Sequence, residues 1–447
     1  MNRLKKFLTD TADSLLRVAL RYPVETALCI YACILGAIQI EWSFDYHMLL
    51  AADGAATEMR QLPDGVFTML PLTMLATLIV HTLVGRASRA WRTLYLLVPL
   101  LLTIASWLLG KEWFGTSRFF ITSAVLAPLG LLMARRTLPN GPFVRQTLGY
   151  IRTAAVGGIF ALTAMLSAMA IYHSVIYIFN IPASWEVRNL VDSYIVLFSW
   201  ALLWPLTALA RLDGYLSDEP QGTKTTDTLL NWILAPALLV YAAILYLYCL
   251  QILFTWSLPE GGVAYLVFGF TSVALAVKAL QELLGRRIYG WFYDRLSLFA
   301  LPAAVLFWIG TLRRVGEYGL TEPRVYLVVC GAVMTFCLAI FLSRRTGRYL
   351  WVVLFAMLLF AAVAYVPALE PGRVAVRSQQ ARAERIARSL DRLDSAGRLV
   401  LTPVPLADTV RGARYRELYE ALAYLYLRDT LRLAAFGLSS TERYAEL

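Results

Sequence analysis

The sequence predicts an all-α fold: a polytopic transmembrane bundle of about eleven helices, followed by a small, mainly helical soluble tail at the C-terminus. Three observations predict it. First, 59% of the 447 residues are hydrophobic and only 16% are charged, with a mean hydropathy of +0.60. Soluble domains lie nearer half apolar and a quarter charged. A larger core cannot absorb the excess, because a globule still needs a polar skin. The lipid bilayer is therefore the expected solvent and the first partner.

The second observation is the recurrence of apolar stretches near the length that a spanning helix needs, roughly 20 residues. They fall at 24–41, 67–84, 93–109, 119–134, 153–179, 189–210, 229–254, 262–283, 296–312, 325–343 and 349–366. The runs at 93–109 and 119–134 are short, as tilted or partly interfacial helices are. The third observation is the placement of positive charge between them. With the N-terminus in the cytoplasm, the cytoplasmic segments hold Arg3, Lys5, Lys6, Arg17, Arg21, Arg86, Arg89, Arg92, Arg135, Arg136, Arg145, Arg152, Arg211, Lys224, Arg286, Arg287, Arg295, Arg344, Arg345 and Arg348. The opposite loops hold only Arg60, Lys111, Arg118, Arg188, Arg313, Arg314 and Arg324, so the count is 20 against 7. Lysine and arginine favour cytoplasmic loops, and every such loop contributes here.

The expected organisation has three parts. Residues 1–21 form a basic amphipathic helix on the cytoplasmic membrane surface, with Leu4, Phe7, Leu8, Leu15, Leu16 and Val18 toward lipid. No small-residue cleavage site follows, so no cleavable signal peptide is expected. Residues 22–367 form the bundle and 368–447 the tail. An odd number of spans exports the tail to the periplasm. Arg373, Arg377, Arg382 and Arg385 oppose that placement, but long segments cross largely regardless of charge. The tail reads as helix over 378–394, with Ala383, Ile386, Leu390 and Leu393 at helical spacing and Gly397 as a stop. Pro403 and Pro405 make the next stretch extended. A second helix covers 408–436, capped by Asp408 or Thr409 and faced by Tyr415, Leu418, Leu422, Leu425 and Phe436.

Composition also excludes function classes. The formal net charge is +11, but the positive residues sit in short loops, with no basic stripe interleaved with stacking aromatics. Nucleic acid is therefore not an expected partner. Cys29, Cys33, Cys249, Cys330 and Cys337 all lie in apolar runs, and only three histidines exist. That pattern predicts no metal centre and no disulfide framework. No Walker-type loop, G-x-S-x-G elbow or H-E-x-x-H motif occurs, so neither a cofactor nor ATP-driven or hydrolytic chemistry has positive support.

The residues that carry chemistry cluster at 313–326, expected as the outer loop between the ninth and tenth spans. Arg313, Arg314, Glu317, Tyr318, Thr321, Glu322 and Arg324 are concentrated there between apolar flanks. Gly316 and Gly319 permit sharp turns, and Thr321 can cap the next helix. One reading is an arginine–glutamate network that closes the bundle. The other is an outward pocket with Arg314 and Arg324 as anion contacts. Trp256 and Glu260 lie in the preceding outer turn, 255–262, and are grouped with the cluster from topology.

Ionisable and polar residues within spans form a second set, since charge in lipid is costly. Lys278 and Glu282 sit four apart and can pair, or Lys278 can snorkel to the cytoplasmic interface. Asp192 can pair with Arg188, or bind a cation or proton. Asn231 and Gln251 are expected to hydrogen bond between helices. His81 and His173 read as structural histidines, and Gly157 with Gly158 predicts close helix packing.

The stretch W-S-L-P-E-G at 256–261, followed some fifty residues later by R-V-G-E-Y-G-L-T-E-P-R-V-Y at 314–326, resembles the bacterial membrane proteins of domain-of-unknown-function family 4153. The R-S-Q at 377–379, ahead of an amphipathic helix, is similar to the same group. The resemblance implies a multi-pass bacterial inner-membrane protein and brings no established activity. Glu260 stands where that group varies, so the resemblance assigns it no role.

Three function classes follow. The first is transport or permeation of a small, anionic or other solute, which predicts a polar cavity lined by Asp192, Asn231, Gln251 or Lys278. The second is a non-enzymatic envelope protein that docks a partner through 368–447. The third is a membrane enzyme on a lipid-linked substrate with Glu317 or Glu322 as base, ranked last because no nucleophile or metal set accompanies the carboxylates.

Overall fold

The computed structural model describes residues 16–53, 62–63, 65–84, 89–108, 118–134, 138–179, 181–217, 227–255, 263–284, 287–343, 346–400, 409–428 and 433–438. Among these residues the chain is helical, and its only β feature is an isolated bridge between Leu393 and Leu399. The chain divides into two compact units, Met1–Gly222 and Thr223–Leu447.

In the first unit, α1 (Pro23–Asp53), α2 (Gly65–Val84), α3 (Arg89–Leu108), α4 (Arg118–Met133), α5 (Asn140–Ile178), α6 (Trp185–Leu197) and α7 (Trp204–Ser217) follow in order. A π-helical turn, Phe198–Leu203, joins α6 to α7. In the second, a π turn, Leu229–Leu234, leads into α8 (Ala235–Thr255). Then come α9 (Val263–Leu280), the short α10 (Gly290–Asp294), α11 (Leu296–Tyr318), α12 (Glu322–Ile340), α13 (Tyr349–Tyr365), α14 (Pro371–Ser389) and α15 (Thr409–Arg428).

Among the described residues, eight helical segments are long and apolar enough to cross a membrane, and three shorter apolar helices, Thr93–Leu108, Phe120–Met133 and Tyr349–Tyr365, accompany them. Their chemistry suits lipid. Prolines 71, 99, 128 and 302 lie inside helices, which membrane helices tolerate because hydroxyls and neighbours re-satisfy the freed backbone. Hydroxyls bond back to carbonyls a turn earlier, as Thr103 does to Pro99 and Thr271 to Val267. Helix α5 has 39 residues, about 58 Å at 1.5 Å each. That is nearly twice a hydrocarbon core of about 30 Å, so its ends extend beyond the lipid. Its outward residues Ile159, Phe160, Leu166 and Ile171 are exposed and apolar, as a lipid-facing surface requires.

The first unit has a small core of Val18, Tyr22, Leu78, Leu131 and Leu209. Val18, expected to face lipid, is instead buried there, whereas Leu16 is exposed. Most of the expected surface helix, 1–15, lies outside the described residues. Trp204 donates to the Ala154 carbonyl at 2.9 Å, and a Cβ on Gly157 would come within 3.2 Å of the Ala208 nitrogen. The paired glycines thus allow α5 and α7 to pack closely, as their spacing predicts.

The second unit has the larger core, built from Leu238, Leu245, Val267, Phe270, Ala300, Phe307, Met334 and their neighbours. A separate core joins the two tail helices. Ala383, Ile386 and Ala387 of α14 meet Leu418, Leu422 and Leu425 of α15, with Leu433 and Phe436 beyond. This is the expected pair of apolar faces. Helix α14 begins seven residues earlier than periodicity predicts, at Pro371, because proline suits the first turn of a helix. The helix ends at Ser389, short of the expected 394, and Gly397, expected as its stop, instead takes a left-handed φ of 78° in the turn that follows.

Candidate functional site

Two constellations concentrate polar groups. The first is built on the turn between α11 and α12. Residues 313–318 are not loop: they continue α11 to Tyr318, so only Gly319, Leu320 and Thr321 make the connection. Arg313 and Glu317 become an i, i+4 pair at 2.8 Å on an exposed helix face. Gly319 adopts φ 70° and ψ 176°, a region open essentially only to glycine. Thr321 occupies the N-cap position of α12, but its side chain makes no capping bond, and Pro323 sets the first turn.

The turn is closed by main-chain recognition. Arg324 donates to the carbonyls of Tyr318 at 3.3 Å and Gly319 at 2.8 Å, and its guanidinium lies over the Tyr318 ring. The tail supplies the remainder. Gln379 donates its amide to the carbonyls of Tyr318 and Leu320 at 2.9 and 3.0 Å, and Ser378 accepts from the Leu320 N–H at 2.8 Å. Arg428 at the end of α15 pairs with Glu322 at 3.3 Å. Arg382, 6% exposed, stacks on Tyr318, with Glu420 at 3.9 Å as its counter-charge. The E-Y-G-L-T-E turn and the R-S-Q segment, recognised separately in the sequence, are thus two halves of one lock. Arg314 is half-buried beside it. Trp256 and Glu260 lie outside the described residues.

The second constellation is a cleft of about 210 Å³ between α1 and α6. Next to it in both helices, Gly36 lets α1 press against Leu197 of α6, with no room for a Cβ. From that contact α1 presents Gln39, Ser43 and His47 on one face at i, i+4 and i+8, and α6 presents Glu186, Asn189 and Ser193. Ile40, Phe44, Trp185 and Leu190 make the apolar walls. Ser184 caps α6 by accepting from the Val187 N–H at 3.4 Å, which fixes the helix start beside Glu186. Nearby, Tyr194 donates to Glu41, and the Gln39 side-chain Oε1 accepts from the Leu62 N–H at 2.8 Å. Arg188 donates to the Ala183 carbonyl at 3.1 Å and does not line the cleft.

The expected intramembrane residues separate. Asp192 belongs to the first unit, where it meets His173 with both carboxylate oxygens at 3.1 Å from Nε2, rather than Arg188. Asn231, Gln251, Lys278 and Glu282 belong to the second. Asn231 accepts from the Ile288 N–H at 3.4 Å, Lys278 donates to the Tyr293 carbonyl and lies over Phe341, and Glu282 pairs with Arg287 at 3.0 Å. Gln251 is exposed on α8.

Two groups escaped the sequence reading. The cleft is one, since nothing local links residues 150 positions apart. Glu25 is the other. It is fully buried, and Tyr95 donates to it, while the His81 ring packs between Tyr22 and Tyr95. The rule that a carboxylate within a span draws attention would have found it.

A helical chain with this many lipid-length apolar segments is a multi-pass membrane protein. The chain belongs to the family described as domain of unknown function DUF4153, whose model matches residues 34–402. It is also similar to the uncharacterised protein PM1469 of Pasteurella multocida (strain Pm70), with 30% identity over 311 residues, 67% of this chain and 52% of the relative. The chain thus spans about half the length of that curated relative. No solved structure matches.

Proposed function

We propose that the chain binds a small polar solute at the α1–α6 cleft and serves its permeation across the membrane. The cleft carries this reading. In a surface dominated by exposed apolar side chains, it gathers Ser43, His47, Glu186, Asn189 and Ser193 around a space that holds on the order of seven waters by volume. The charge pattern of the loops supports a bacterial inner-membrane setting with the N-terminus cytoplasmic and the cleft toward the periplasm. An anion route through the 313–326 cluster has less support, because Arg313 is paired with Glu317 and Arg324 with main-chain carbonyls. The engagement of Glu317 and Glu322 with arginines also weakens the reading of either as a catalytic base.

The test is a solute screen by thermal shift on the purified chain in detergent, alongside Ser43→Trp, which fills the cleft. Solutes that raise the melting temperature of the parent should leave Ser43→Trp unmoved. An equal response in both, or none in either, refutes the cleft as the binding site.

A second reading rests on α14. Arg373, Arg377, Arg385 and Arg388 are exposed along it, while its apolar face packs against α15. A rigid basic helix beside the membrane suits docking of an acidic envelope protein. Reversing Arg377, Arg385 and Arg388 to glutamate should then abolish co-purification of a partner while leaving the melting temperature intact; retained co-purification refutes it.

A further inference from the structure

We infer that the α1–α6 cleft is selective for a small organic cation of the ammonium class. The inference rests on the cleft being a solute site and adds the charge of what it takes. Among the described residues, Glu186 is the only carboxylate in the lining, and neither lysine nor arginine lines it. The nearest arginine in sequence, Arg188, is directed to the Ala183 carbonyl. His47 lies close enough to Glu186 to interact electrostatically. Glu41, next to Ile40 in the chain, accepts from the Tyr194 hydroxyl. An anion placed here meets the Glu186 carboxylate, with no lysine or arginine among the described lining residues to offset it.

The walls favour the same ligand class. Phe44 and Trp185 bring two aromatic rings to the cleft that also holds Glu186. Aromatic faces attract alkylammonium groups through the ring quadrupole, with tryptophan the strongest. One carboxylate, two aromatic residues and a few neutral acceptors such as Ser43 and Asn189 form a site that rewards a compact apolar cation. A neutral molecule of the same shape gains only the apolar contact.

Choline separates these possibilities, since 3,3-dimethyl-1-butanol has the same shape without the charge. The full chain is held in dodecyl maltoside, which has no ammonium group, and binding of radiolabelled choline is read by scintillation proximity. Thermal shift reads choline, the neutral isostere and acetate in parallel. The expected result is displacement of choline by tetramethylammonium and at least tenfold weaker competition by the isostere. Glu186→Gln weakens choline at least tenfold and Trp185→Leu several-fold, while Arg313→Ala, in the other unit, changes nothing. If the isostere or acetate binds as well as choline, or Glu186→Gln binds choline normally, the cation class is overturned and the solute site stands. If no probe of any charge binds, both readings fall together.

Discussion

Replacing Gln379 by alanine tests the lock between the tail and the α11–α12 turn. Its side chain is 2% exposed and makes two bonds, to the carbonyls of Tyr318 at 2.9 Å and Leu320 at 3.0 Å. Each lost bond between neutral groups is worth about 1 kcal/mol net, and leaving a buried carbonyl without its donor costs more, about 1–3 kcal/mol. The two carbonyls flank Gly319 and share this donor, but the Tyr318 carbonyl keeps Arg324 at 3.3 Å, so the Leu320 carbonyl carries the loss and a total of about 1–3 kcal/mol is expected. At about 1.4 kcal/mol per decade this raises the opening equilibrium of the lock about 5- to 140-fold. Hydrogen exchange reads it directly: the Leu320 amide, bonded to Ser378, and the first turns of α14 should exchange faster by that factor. The apolar core between α14 and α15 should keep its protection, because it is formed by other residues. Gln379→Glu sharpens the test. A carboxylate has no donor to offer and faces two carbonyls, so it should open the lock more than alanine does. Unchanged exchange at Leu320 in Gln379→Ala, or a glutamate variant as protected as the parent, would refute the assignment of the lock to this side chain.

Other perturbations follow from the same geometry. Gly319→Ala forces a Cβ into φ 70° and to 2.9 Å from the Gln379 amide, and should cost about 1–3 kcal/mol, read as a lower melting temperature in detergent. Gly331→Ala drives a methyl into the Phe307 ring, which is fully buried, for about 1–3 kcal/mol; adding Phe307→Leu should recover part of the loss, and no recovery would place the strain elsewhere. Glu25→Ala leaves the Tyr95 hydroxyl without its acceptor and should cost about 1–3 kcal/mol, while Glu25→Gln, which retains an acceptor, should melt closer to the parent. Burial pushes the Tyr293 phenol up to about 12, and its oxygen has no hydrogen-bond partner among the described residues. The unfolded phenol loses its proton first, near 10. The contribution of Tyr293 to stability is therefore steady below pH 10 and declines between 10 and 12. Tyr293→Phe should equal or slightly exceed the parent at neutral pH and soften that alkaline decline in a pH series of melting curves.

What the sequence determined by itself was the solvent of the chain and the character of its segments. Apolar runs of lipid length, and the three- and four-residue spacing of Ala383 and Ile386 and of Leu418, Leu422 and Leu425, are local properties, so they survive without knowledge of any neighbour. The polar stretch at 313–326 was legible for the same reason, although its first six residues proved to be helix, because an arginine–glutamate pair four apart supports a helix as well as a loop. Only the tertiary structure decided which polar group meets which. Ser378 and Gln379 reach the turn from some sixty residues away, Asp192 meets His173 rather than its near neighbour Arg188, and Glu25 meets Tyr95. The cleft lies between helices far apart in the chain, which also meet where Gly36 admits Leu197. Helical periodicity specifies the face a residue occupies, but the helix opposite that face is selected by shape and by hydrogen-bond satisfaction in three dimensions.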